Sequence, residues 1–170
     1  TTVNVMGFVR EEKLDEKRLF EAQCFSVRAA FRMTFLDLEL DEWDIKHKRD
    51  RLVGCSLTGW QDMVNATNMS AEEQSRLRKK LREVAHQEAD SYAKKLGVNP
   101  PLLVTTVKPE GTVTQMPTVS SGIHYSHAPY YIRRVRINAS DPLLKVCEEL
   151  GYDIRPENGQ TEENCRTKVI

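Results

Sequence analysis

The sequence predicts an α/β fold with parallel strands, because long amphipathic helices alternate with short β-branched runs. Two junctions carry that reading. A strand-like run, Val3-Asn4-Val5-Met6-Gly7-Phe8-Val9, leads into a helical pattern, and a later helix ending near Leu96 returns through Asn99-Pro100-Pro101 to the apolar run 102–107. A helical crossover of that kind suits parallel strands, which a tight turn cannot join. With 170 residues and a hydrophobic fraction of 39%, the chain is long enough to build a core.

The elements follow in order. Leu19, Phe20, Gln23, Cys24, Val27, Ala30, Phe31 and Phe35 recur every three or four residues, opposite Arg18, Glu21, Arg28 and Arg32, which predicts an amphipathic helix from Leu14 onward. In 41–51, Lys46, His47, Lys48, Arg49 and Arg51 alternate with Asp41, Glu42, Asp44 and Asp50. That interleaving predicts a solvated helix with local ion pairs, not a nucleic-acid track. Ser56–Val64 reads as entry into a buried helix, with Gly54 and Gly59 allowing close turning. Ser70-Ala71-Glu72-Glu73 is a capping box, Leu77, Leu81, Val84, Ala85, Glu88, Ala89, Tyr92 and Leu96 form one side of the helix it starts, and Gly97 stops it. His86 falls on the surface of that helix. Residues 130–138 alternate as a strand, Asp141-Pro142 opens a short helix ending at Gly151, and 155–164 is a polar loop.

Lys plus Arg and Asp plus Glu number 25 each, so no basic field recruits nucleic acid. No apolar stretch is long enough for a bilayer and no signal core is present, so a cytoplasmic protein with no membrane partner is expected. Cys24, Cys55, Cys147 and Cys165 lack metal-ligand spacing and read as reduced thiols. The chain opens in a strand-like run without Met and stops at Lys168-Val169-Ile170 as another run begins, which suggests a piece of a longer protein, poorly soluble alone.

The chemistry concentrates after the strand 102–107. Lys108-Pro109-Glu110-Gly111-Thr112-Val113-Thr114-Gln115 is rich in hydroxyls and free N–H groups; Gly111 permits close backbone approach, and successive N–H groups in a turn can form an anion-binding nest. Lys108 adds charge. His124 and His127 form an H-x-x-H pair, but no third ligand stands at metal spacing, so no metal is expected. Arg133-Arg134 either balances phosphate charge or pairs with acidic neighbours.

The run from Lys108 to Gln115, then Ser120-Ser121-Gly122-Ile123-His124-Tyr125-Ser126-His127, then Tyr130 to Arg136, closely resembles the C-terminal part of the barrel in class II, adenosylcobalamin-dependent ribonucleotide reductases. Thr1–Val5 and Leu52–Trp60 extend the resemblance over most of the chain. It implies that 1–170 is a portion, truncated at both ends, of a ten-stranded α/β barrel. The implied enzyme reduces ribonucleoside triphosphates to 2′-deoxyribonucleotides with adenosylcobalamin and a thioredoxin-type reductant. Its radical and reducing cysteines, partner glutamate and allosteric specificity site would lie outside these residues, so no catalytic residue is expected here and the chain alone should be inactive. By resemblance, Pro109, Glu110, Gly111, Thr112, Val113 and Thr114 are the substrate-phosphate loop. Glu110 would repel a phosphate unless it points away or hydrogen bonds elsewhere. The triphosphate choice rests on the His124–His127 run, and Lys-Pro-Glu-Gly-Thr separates the chain from class I enzymes, whose loop is rich in Ala, Ser and Thr. The competing reading is a non-catalytic nucleotide-binding or scaffold module.

Overall fold

A computed structural model describes residues 1–125, 128 and 130–170. It forms two compact units, Thr1–His127 and Ala128–Ile170.

In the first unit, strand β1 (Thr2–Asn4) lies parallel to β4 (Ser56–Thr58), pairing Thr2 with Ser56 and Asn4 with Thr58. The expected strand 3–9 is shorter than its pattern suggested. The Asn4 side chain accepts the Met6 N–H and turns Val5–Phe8 into a 3₁₀ turn. Strands β2 (Val9–Arg10) and β3 (Lys13–Leu14) then close a hairpin through Glu11 and Glu12, both left-handed. Helix α1 (Glu16–Met33) starts where Asp15 accepts the Arg18 N–H. Helix α2 (Asp41–Asp50) buries no residue, and Lys48 reaches Asp37 and Asp44 at 2.5 and 2.7 Å, so it is the solvated helix expected.

Arg51 departs from that solvated set. It is 7% exposed, donates to the Thr34 carbonyl and hydroxyl at 3.2 and 3.0 Å, and stands 4.4 Å from the Phe35 ring centroid. The negative end of α1 and an aromatic face together draw this cation inward.

Helix α3 (Trp60–Thr67) follows a left-handed Gly59, where a Cβ would stand 2.7 Å from Asn4 Oδ1. Helix α4 (Ala71–Leu96) carries the capping box as expected: Ser70 Oγ accepts the Glu73 N–H, Glu73 Oε2 accepts the Ser70 N–H, and Gly97 ends the helix at φ 68°. The run 102–107 is less regular than expected, with one parallel bridge, Cys55 to Thr105. Cys55 donates its N–H to Val104 and accepts from Thr106, which places the run beside β4.

Two apolar clusters hold α1 and α4 to these strands. Val3, Val5, Leu19, Trp60, Met63, Leu77 and Leu81 form one; Val27, Ala30, Cys55, Ala85, Ala89 and Val104 form the other. Large side chains fill the first, whereas alanines in the second let the helices approach, with Arg28 and Glu88 bridging them at 2.5 Å.

In the second unit, β7 (Thr167–Val169) lies between β5 (Arg136–Asn138) and β6 (Arg155–Pro156), antiparallel to both. The expected strand 130–138 is therefore regular only at its end, and Tyr130 and Ile132 are exposed. The closing residues 167–169, read as the start of a run, are the middle strand of this sheet. Helix α5 (Pro142–Glu149) has its expected start, with Asp141 accepting the Leu143 N–H at 2.9 Å. No helix among the described residues is long and apolar enough to cross a membrane.

Candidate functional site

Residues 108–115 leave the run beside β4 and fold back on themselves. Thr114 is buried, and both its N–H and its hydroxyl donate to the Glu110 carbonyl, at 3.3 and 2.8 Å. Gln115 Nε2 donates to the Gly111 carbonyl at 3.1 Å, the Gln115 N–H to Thr112, and the Met116 N–H to Val113. The carbonyls of four successive residues are thereby turned away and occupied. The N–H groups of Gly111 and Thr112 have no acceptor among the described residues. Pro109, Thr112 and Val113 are exposed and Gly111 half-buried, so these donors sit at the surface of the fold. With four carbonyls tied back and two N–H groups left without an acceptor, the loop is a candidate cradle for an anion.

Glu110 satisfies the condition set for it. Its backbone is left-handed at φ 50°, the side chain is 9% exposed, and Oε1 accepts the Thr2 hydroxyl from β1. Its Oε2 is buried without a protein partner. The carboxylate thus anchors the loop to the first strand. Lys108 Nζ donates to the Thr1 carbonyl at 2.8 Å, so it too serves β1. Of the two threonines, Thr112 keeps an exposed side chain, while the Thr114 hydroxyl is occupied within the loop.

The segment after the loop supports both of its ends. Gly122, at φ 55°, lies where a Cβ would stand 2.6 Å from the Lys108 carbonyl oxygen. Val119 donates to the Thr114 carbonyl at 3.1 Å, and Ser121 Oγ lies 3.5 Å from Thr114 Oγ1. Sequence reasoning recognised Ser120-Ser121-Gly122 as part of a resemblance without a physical role. The glycine at 122 was the available signal, since its left-handed backbone beside Lys108 strains any other residue.

The other candidates lie apart from the cradle. His124 is exposed, with Nδ1 3.3 Å from the Ser121 carbonyl; Ser126 and His127 lie outside the described residues. Among the described residues no three His, Cys, Asp or Glu side chains gather as a metal site. In the second unit, the Arg133 guanidinium is 5.8 Å from the Tyr131 ring centroid, and Arg136 pairs with Glu157. All four cysteines are free; Cys55 is buried, and burial, then Glu88, push the Cys24 thiol above its ordinary range. A cavity of about 310 Å³ lies between α4 and the run 105–107, lined by Gln23, Arg78 and Arg82 among others, and includes no residue of 109–114.

No family model matches the chain. Its structure superposes on the crystal structure of a B12-dependent, class II ribonucleotide reductase with a TM-score of 0.73 and 25% identity, covering 89% of this chain and 24% of that one. The fold is therefore an α/β segment of the class II ribonucleotide reductase type. The chain is 34% identical over 165 residues to the adenosylcobalamin-dependent ribonucleoside-triphosphate reductase of Lactobacillus acidophilus, covering 82% of this chain and 22% of the relative. It is 29% identical over 124 residues to the enzyme of that name from Euglena gracilis, covering 73% of this chain and 17% of the relative. The chain belongs to the adenosylcobalamin-dependent ribonucleoside-triphosphate reductase family and spans roughly a fifth of the length of these relatives.

Proposed function

We propose that residues 1–170 are the C-terminal portion of the catalytic barrel of such a reductase, truncated at both ends, and that this portion holds the substrate's phosphates. Pro109, Glu110, Gly111, Thr112, Val113 and Thr114 form the cradle. The observation that carries the reading is that the Gly111 and Thr112 N–H groups have no acceptor among the described residues, while Thr114 and Gln115 tie back the neighbouring carbonyls. The backbone donors meet phosphate oxygens, the Thr112 hydroxyl adds a donor, and Thr114 locks the turn. Glu110 contributes main chain, its charge held toward Thr2.

The whole enzyme, on this reading, reduces ribonucleoside triphosphates to 2′-deoxyribonucleotides for DNA synthesis in the cytoplasm, with a thioredoxin-type dithiol as reductant. Fixing the phosphates fixes the ribose, and such positioning supplies on the order of several kcal/mol of a barrier reduction. Adenosylcobalamin supplies the radical chemistry when bound.

The test is Gly111→Val in the full-length enzyme, because a branched side chain crowds the anion's approach. Its KM for a ribonucleoside triphosphate should rise about tenfold or more, while weak competition by the unphosphorylated ribonucleoside stays unchanged. Equal losses for both compounds would contradict the phosphate assignment.

A further inference from the structure

The plate formed by Val119–Gly122 touches the loop from one side, and the β4–α3 turn grips it from the other. Asp62 Oδ2 accepts the Ser120 N–H at 2.7 Å, and the Asp62 N–H donates to Ser120 Oγ at 3.3 Å. Gly59 donates its N–H to the Ser120 carbonyl at 2.9 Å. Thr58 Oγ1 donates to the same carbonyl at 3.3 Å and accepts the Gly122 N–H at 3.0 Å. The partners are 58 residues apart in the chain, so no local pattern announces them.

We propose that Asp62 is a positioning residue for the phosphate loop, acting through Ser120. The inference rests on the phosphate reading above. Asp62 does not touch the loop; the residues on either side of its partner do, Val119 on the Thr114 carbonyl and Ser121 beside the Thr114 hydroxyl. Two features give the carboxylate this role. An Asp62 side-chain oxygen makes the shortest bond in the grip, and Asp62 lies in the first turn of α3, where the helix holds its backbone. A rigid helix terminus thus fixes the plate, and the plate fixes both ends of the cradle. Backbone donors that must converge on one phosphate tolerate little drift, so loosening the grip weakens substrate binding before it affects chemistry.

The experiment compares Asp62→Ala and Asp62→Asn in the full-length enzyme, with Gly111→Val alongside, by steady-state kinetics and thermal unfolding. Asp62→Ala should raise KM for the ribonucleoside triphosphate about tenfold with kcat within about threefold of wild type. Asp62→Asn, whose amide oxygen still accepts the Ser120 N–H, should hold KM within about twofold. If the alanine variant does not fold, Asp62→Ser carries the same expectation, since its shorter side chain keeps a polar group at the position but withdraws the acceptor from the Ser120 N–H. An unchanged KM in Asp62→Ala, a fall in kcat matching the rise in KM, or an asparagine variant as impaired as the alanine overturns the proposal. If Gly111→Val raises KM and Asp62→Ala does not, only the positioning role fails. If neither moves KM, the phosphate reading fails with it.

Discussion

The two units are built on different physical terms. Unit one buries Trp60, Phe31, Leu19, Met63 and Leu81 to 2% exposure or less, whereas in unit two Leu144 alone among the described hydrophobic residues is buried. Unit two leaves Tyr130, Tyr131, Ile132, Leu143, Leu150 and Tyr152 exposed and relies on a small antiparallel sheet and a well-capped helix. The candidate cradle sits in the first unit, against β1 and the plate. A loop whose donors must hold their direction lies where large side chains and buried hydrogen bonds fix the backbone, while the second unit has little core of its own.

The largest effect that would test this contrast is on the cores. Trp60→Ala should cost about 3–5 kcal/mol, and Leu144→Ala about 2 kcal/mol, the low end for core truncations, because its surroundings are already open. Denaturant unfolding followed by segment-resolved hydrogen exchange measures both, and equal losses would abolish the distinction. Gly122→Ala comes next. Its Cβ would meet the Lys108 carbonyl at 2.6 Å in a left-handed conformation, so about 1–3 kcal/mol of strain is expected, together with a raised substrate KM. A variant with wild-type stability and KM would argue that the plate does not set the loop.

Caps give a smaller comparison. Ser70→Ala removes half of the box on the 26-residue α4, and Asp141→Ala removes the cap of the eight-residue α5. Each should cost about 1 kcal/mol of local stability, with the greater loss of amide protection in α5. The first cap is also pH-dependent. Hydrogen bonds from the Ser70 N–H and then its hydroxyl hold the Glu73 carboxyl below the usual glutamate range. The stabilisation is therefore present above the unfolded-state pKa and lost as pH falls through the folded one. Helicity of α4 should fray at its first turn on acidification, and Glu73→Gln should remove that dependence.

Features whose cause is local were legible in the sequence. Ser70-x-x-Glu73, Gly97 and Asp141-Pro142 each act within a few residues, and each stands where expected. The α1 periodicity placed Leu19, Gln23, Val27, Ala30 and Phe31 in the core, whereas Phe35, read on the same face, lies past the helix end and is exposed. Strand lengths were not legible, because a strand lasts only as far as a partner pairs with it: Asn4 ends β1 by capping its own turn, and 102–107 keeps one bridge. The cradle residues were visible as a glycine- and hydroxyl-rich loop, but their roles were not. That Thr114 locks the turn and Glu110 reaches Thr2 depends on contacts made only after folding. Arg51 shows the same limit: a basic residue in a charged run is drawn inward by Phe35 and the end of α1.

The most direct test of the phosphate cradle is residue-resolved hydrogen exchange of the full-length enzyme with and without a ribonucleoside triphosphate. The account predicts that nucleotide slows exchange at the Gly111 and Thr112 amides by about tenfold or more, because both gain an acceptor. Unchanged exchange at these two amides, with protection appearing elsewhere on the same addition, would contradict it.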